Sequence, residues 1–251
     1  MDVGEVVAIA AAGLAAGAIN VVVGSGTLVT FPVLLAFGYS PVTANVSNTI
    51  GLVPGSVSGA VGYRRELAGQ RHRMLRLGTA SLLGGTTGAV LLLVLPASAF
   101  KAIVPVFIAI ALVLVVLQPR LQRRLAARGT PHDHERGLVV PLAVYATGVY
   151  GGYFGAAQGI LLLGILGVAL PQDLQRTNAL KNVLTGIVNA VAGIYFAFAA
   201  HVAWGAAGII AVASMIGGQL GAHYGRRLHP AALRGVIVVV GVTAIVRLLA
   251  T

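Results

Sequence analysis

The chain alternates long apolar runs with short polar connections. Apolar stretches cover 6–23, 28–37, 44–63, 75–95 and 99–117; a polar stretch follows at 118–137, and apolar runs resume at 138–154, 159–170, 178–200, 206–224 and 233–249. A helix rises 1.5 Å per residue, so crossing a hydrocarbon core about 30 Å thick takes about 20 residues. Eight of the runs approach that length, while 28–37 and 159–170 are too short to cross unless tilted or part of a broken helix. The pattern predicts an all-α polytopic membrane protein with about 8–10 transmembrane segments, two of them short or broken.

Composition agrees: 57% of the 251 residues are hydrophobic and 9% charged, and the mean hydropathy is +0.92. Soluble domains carry about 25% charged residues. The 34 glycines suit close helix packing where lipid supplies no hydrophobic drive. With no cysteine in the chain, disulfides, thiolate catalysis and Cys-based metal sites are excluded. Asp2 and Glu5 precede the first apolar run without a basic region, so that run reads as a permanent span rather than a cleaved signal.

The net charge of +11 would suggest nucleic acid on a soluble fold, but most of the positive charge falls at 64–76, 120–136 and 226–234, between apolar runs. Confinement to short inter-helix loops is the positive-inside pattern, and no nucleic-acid motif accompanies it. Arg64, Arg65, Arg71, Arg73 and Arg76 place the loop after Tyr63 in the cytoplasm, as do the basic residues of 120–136. Arg176 and Lys181 place the start of 178–200 inside, and Arg226, Arg227 and Arg234 lie inside again. Both termini then fall outside, in the plasma (inner) membrane of a bacterial-type cell.

The second half echoes the first at an offset of 133 residues. Ser81, Gly84, Gly85, Gly88 and Ala89 align with Ser214, Gly217, Gly218, Gly221 and Ala222; Gly26 aligns with Gly159 and Asn45 with Asn178. The basic loops give the two halves opposite orientations. The chain is therefore expected to hold two inverted-topology repeats, 1–117 and 138–251, joined by a cytoplasmic basic loop at 118–137.

In such a fold the site is expected where corresponding helices are interrupted. The first interruption is Gly24-Ser25-Gly26-Thr27; the second runs from Gly151 to Gly159 and includes Gly155 and Gln158. Broken helices expose backbone N–H groups and a positive dipole end, which suit an anion, and glycine admits a ligand close to the backbone. The alternative is that these glycines only permit packing or a kink. The polar positions Asn45, Asn48, Asn178, Lys181 and Asn182 follow the breaks, and Asn20 lies just before one. Polar groups at membrane depth must face protein or water. Lys181 could repel cations and hold an anionic group, or it could snorkel to the interface. Asn20 and Gln158 could donate to a solute or join helices to each other.

No Asp or Glu lies well inside an apolar run, which argues against a carboxylate-based cation exchanger and leaves proton coupling without a carboxylate relay. His132 and His134 flank Asp133 in the polar stretch, too weak a pattern to predict a metal. His223, near a helix end, reads as structural. No P-loop, nucleophile–base pair or zinc-protease motif is present, so neither an enzyme nor a cofactor is expected.

Residues 24–35, rich in glycine and leading to Pro32-x-Leu34-Leu35, followed by Pro41-x-x-Ala44 and by 59–64, resemble the TauE/SafE sulfite exporter family, also called the four-toluene-sulfonate uptake permeases. The glycine-rich 151–159 and the 214–222 block agree, and the likeness spans essentially the whole chain. In the second half the Pro-x-x-Ala element is degenerate, Arg176-Thr177-Asn178-Ala179 following Pro171 at longer range. The resemblance implies a secondary permease for sulfite, a sulfonate or a related organic anion, with the breaks and Asn45, Asn48, Asn178 and Lys181 lining the path. A membrane assembly or insertion factor without a solute is the alternative, and a channel a third. Transport predicts that the breaks at 24–27 and 155–159 meet near the midplane beside a polar cavity; breaks that point at lipid or are filled by side chains would contradict it.

Overall fold

The computed structural model describes residues 1–127 and 137–224, together with 235, 237–240, 242, 243 and 245. Most of the run at 233–249, the arginines at 226, 227 and 234, and His132 and His134 lie outside the described residues. The described part is all α. Its helices are α1 (Val3–Val22), α2 (Thr27–Ala36), α3 (Pro41–Gly62), α4 (Arg71–Val94), α5 (Ala97–Ala127), α6 (Val139–Tyr153), α7 (Gln158–Ala169), α8 (Leu174–Ala199) and α9 (Trp204–Tyr224).

Local chemistry sets several ends. Asp2 caps α1 by accepting from the Glu5 amide at 2.7 Å. Ser40 caps α3, with Pro41 at the first helical position, and Asp173 accepts from the Gln175 and Arg176 amides at 2.9 Å each to open α8. Two expectations about length need correction. The helix expected to end at 117 runs to Ala127, through Pro119, so the first part of the stretch read as loop is helical. The run at 138–154, read as a near-complete crossing, gives a helix of only 15 residues, because the backbone breaks at Phe154 and Gly155.

Five described helices (α1, α4, α5, α8 and α9) are long and apolar enough to span a bilayer. The 22-residue α3 is long enough, but Asn45, Ser47, Asn48 and Thr49 lower its hydropathy. Outer faces are apolar, as lipid requires: Phe198 is 90% exposed, and Val113 and Val116 also face outward. Trp204 and Tyr224, both exposed, open and close α9, where an aromatic belt belongs.

Each short helix doubles back along the one before it. The Tyr39 hydroxyl, just after α2, donates to Glu5 Oε1 at 2.7 Å, returning the chain to the start of α1. Likewise Arg73 Nη1 donates to Gln172 Oε1, just after α7, at 2.9 Å, while Arg76 Nη2 donates to the Gly137 carbonyl at 2.7 Å before α6. At about 15 and 18 Å, α2 and α7 are the returning arms of two hairpins.

Glycine-to-backbone contacts hold the bundle together. A methyl on Gly17 would sit 2.2 Å from the Ser214 carbonyl oxygen, and one on Gly217 2.0 Å from that of Leu14, so α1 and α9 touch backbone to backbone. The contact of α4 with α6 is of the same kind, with 2.3 Å from Gly84 to the Tyr145 oxygen and 2.0 Å from Gly88 to that of Val149. Only hydrogen fits at such crossings, and the close approach recovers dispersion energy that lipid burial cannot supply. The two echoing blocks, 81–89 and 214–222, thus occupy like positions. Between them α3 and α8 cross antiparallel, with Gly186 against Ser56 and Gly193 against Ile50.

Candidate functional site

The two breaks meet inside the bundle. The Gly159 amide donates to the Gly24 carbonyl at 3.1 Å, and a methyl on either glycine would fall 2.5 Å from the other's Cα. At the first break Gly24 has φ +86°, and at the second Gly155 has φ +78°, a left-handed backbone that glycine adopts at little cost. Ala157 takes φ +62° despite its Cβ, a strained conformation of the kind that clusters at functional sites.

Side chains from α3 and α8 cap the carbonyl ends of the broken helices. Asn45 Nδ2 of α3 donates to the Tyr153 carbonyl at the end of α6 at 3.0 Å. Asn178 Nδ2 of α8 donates to the Val21 carbonyl near the end of α1 at 3.2 Å. Lys181 Nζ donates to the Asn20 and Val21 carbonyls at 3.0 Å each. A cation belongs at a helix C-terminus, where carbonyls without helical partners carry partial negative charge. Lys181 is 0% exposed, so it does not snorkel. Its aliphatic stem reaches Gly159: a methyl there would lie 3.1 Å from Lys181 Cδ.

The amide ends are treated differently. Neither α2 nor α7 has a side-chain cap at its N-terminus. Gly26, Thr27 and Gln158 stand at those first turns, whose amides turn to nearby backbone carbonyls: Leu28 and Val29 donate to Ser25 and Gly26, and Gln158, Gly159 and Ile160 to Gly155, Gly24 and Ala157. Around them lie buried polar atoms with no protein hydrogen-bond partner: Ser25 Oγ, both amide atoms of Gln158, Asn45 Oδ1, Asn178 Oδ1, Asn182 Nδ2 and the Tyr153 hydroxyl. Leaving such groups unpaired costs about 1–3 kcal/mol each, so a cluster of them is unusual unless something else satisfies them. Gln158 is fully buried and folded against Gly151, where a methyl would come within 2.3 Å of its Cδ.

Not every expected residue faces this cluster in the same way. Asn48 is engaged with α2: its Nδ2 donates to Thr27 Oγ1 at 3.2 Å, and its Oδ1 accepts from the Thr30 hydroxyl. Asn20 is only partly buried, and its Nδ2 donates to Ser56 Oγ at 3.4 Å. That serine also accepts from Asn189 Nδ2 at 3.2 Å. Ser56, Asn189 and Thr30 are neighbours of the site that the sequence reading does not single out. Polarity inside an apolar run could have marked all three, and Ser56 and Asn189 are themselves separated by the 133-residue offset. An aromatic cluster closes one flank: Phe31 meets Phe154 edge-on at 5.2 Å, and Phe100 and Phe107 pack on Tyr153. His223 lies elsewhere, on an apolar groove of about 870 Å³ between α3 and α9. Among the described residues no cluster of three or more His, Cys, Asp or Glu could hold a metal.

A multi-pass helical bundle with two broken hairpins meeting at a buried polar cluster has the build of a membrane transporter. The chain belongs to the family described as sulfite exporter TauE/SafE, whose model matches residues 9–248; its members are transporters rather than enzymes. It is 28% identical over 242 residues to a membrane transporter protein of a Sinorhizobium species, covering 94% of this chain and 88% of that one. It is 25% identical over 238 residues to the membrane transporter protein YfcA of Escherichia coli, covering 93% and 86%. A Haemophilus influenzae membrane transporter protein is 23% identical over 210 residues, covering 84% and 81%. No solved structure matches.

Proposed function

We propose that the chain is a secondary permease for a small anion, sulfite, a sulfonate or a related organic anion, bound where the two breaks meet. One observation carries this reading: the amide ends of α2 and α7 lack side-chain caps, beside buried unpartnered donors and next to Lys181. Helix N-termini favour negative charge, and buried donors of this kind suit sulfonate oxygens. The path then includes Asn20, Gly24, Ser25, Gly26, Thr27, Asn45, Asn48, Gly155, Gln158, Gly159, Asn178, Lys181 and Asn182.

The two halves act as inverted repeats about an axis in the membrane plane. Support comes from the paired contacts: α1 on α9 matches α4 on α6, and Asn45 capping α6 matches Asn178 capping α1. Ser56 and Asn189, equivalent by the 133-residue offset, bond to each other, as residues on such an axis would. Rocking of one half against the other would open the site to alternate faces. The basic loops lie in the cytoplasm and both termini outside.

Uptake of a panel of sulfur-containing and organic anions into proteoliposomes tests this reading. Saturable transport of an anion, lost in Lys181→Gln, is expected; a protein that moves cations or neutral solutes instead would sink it.

A further inference from the structure

We infer that the site selects singly charged anions and discriminates against doubly charged ones of the same shape. This rests on the site assignment proposed above and narrows its substrate class. Charge must balance within a buried site, where little solvent screens it. Two helix N-termini, those of α2 and α7, converge on the site, each equivalent to about +0.5 charge. Two helix C-termini, those of α1 and α6, end beside them with about −0.5 each. The four dipole ends cancel to first order.

What remains is the ammonium of Lys181. It is the one charged side chain among the described residues that is buried, and no carboxylate accompanies it. Asn20 and Val21 take two of its protons at 3.0 Å each, leaving the third for a ligand. The neighbouring side chains (Ser25, Gln158, Asn178 and Asn182) are neutral. At the position 133 residues earlier, equivalent to Lys181, stands Asn48, also neutral. The site thus holds a net charge of about one, which a monoanion neutralises. A dianion would leave one charge uncompensated where desolvation costs several kcal/mol per ion.

The test uses purified protein in proteoliposomes with three probes. Methanesulfonate carries one charge and sulfate two on similar tetrahedral groups. Methylphosphonate passes from one charge to two near neutral pH without changing shape. Methanesulfonate uptake is expected to exceed sulfate uptake by at least about tenfold, the equivalent of 1.4 kcal/mol of discrimination. Methylphosphonate uptake, divided by that of methanesulfonate at the same pH, should fall as its second proton leaves. Asn48→Lys, adding a second cation at the equivalent position, should raise sulfate relative to methanesulfonate. Equal uptake of methanesulfonate and sulfate by the unaltered protein, or a methylphosphonate ratio flat with pH, would overturn the charge selection and leave the anion site standing. No saturable uptake of any probe would overturn the site assignment and this inference with it.

Discussion

Gly159 donates its amide to the carbonyl of Gly24 at 3.1 Å, and this single hydrogen bond joins the two interrupted helices at the centre of the bundle. No side chain could stand at either position, because a Cβ there would press on the partner's backbone at 2.5 Å. Gly24→Ala adds a left-handed backbone penalty to the clash, for an expected loss of about 2–4 kcal/mol. Gly38, with φ +87° but open space around it, is the control. Gly38→Ala should cost only the backbone penalty, about 1–2 kcal/mol. Thermal unfolding in detergent should rank the variants in that order; equal midpoints for the two would contradict the close approach.

The cap contributed by Asn45 should be worth about 1–3 kcal/mol, since Ala would leave a buried carbonyl unpaired, whereas Asn178→Ala should cost less because the Val21 carbonyl keeps its bond from Lys181. Aspartate in place of Asn45 should be worse than alanine. A carboxylate cannot donate, and it would face the negative end of a helix. Stability and anion uptake should fall together across Asn, Ala and Asp, and an Asp variant that behaves like the native protein would remove the capping role.

Tyr39, in the link between α2 and α3, has its phenol pushed up to about 12 by partial burial and by the hydrogen bond to Glu5 with its negative charge. The neutral phenol is therefore favoured by the fold. Its contribution to stability is complete below the ordinary value of 10 and drains away as pH rises toward 12. At pH about 11 the phenolate absorbance of the native protein and of Tyr39→Phe should be nearly the same, because the removed tyrosine is still protonated. A clear difference at that pH would show that the Tyr39–Glu5 contact is not maintained.

The absence of cysteine makes the chain a clean background for labelling. Ala68, exposed in the loop after α3, and His201, exposed between α8 and α9, should lie on opposite membrane faces. Ala68→Cys should react with an impermeant maleimide only after the membrane is opened, and His201→Cys should react in intact cells. The reverse pattern would invert the orientation drawn from the basic loops.

By itself the sequence determined the class of the fold, most of the helices and the location of both breaks. Apolar run length and glycine placement are local properties, and a bilayer turns them directly into spans and interruptions. The glycines of 81–89 and 214–222, alike in sequence, both lie against the backbone of a neighbouring helix. Local pattern misplaced helix ends where the sequence turns polar: α5 continues past 117 to Ala127, and α3, α4 and α8 begin at Pro41, Arg71 and Leu174, ahead of the apolar runs that start at 44, 75 and 178. Only the tertiary structure decided what the polar residues face. Lys181 could have snorkelled to the interface; it is instead buried on the carbonyls of Asn20 and Val21, contributed by a helix about 160 positions earlier. Asn45 and Asn178 read alike in the sequence, yet each proves to cap a helix of the opposite half. Such partners are set by which helix ends the packing brings together, and a buried polar group must take whatever partner that packing offers.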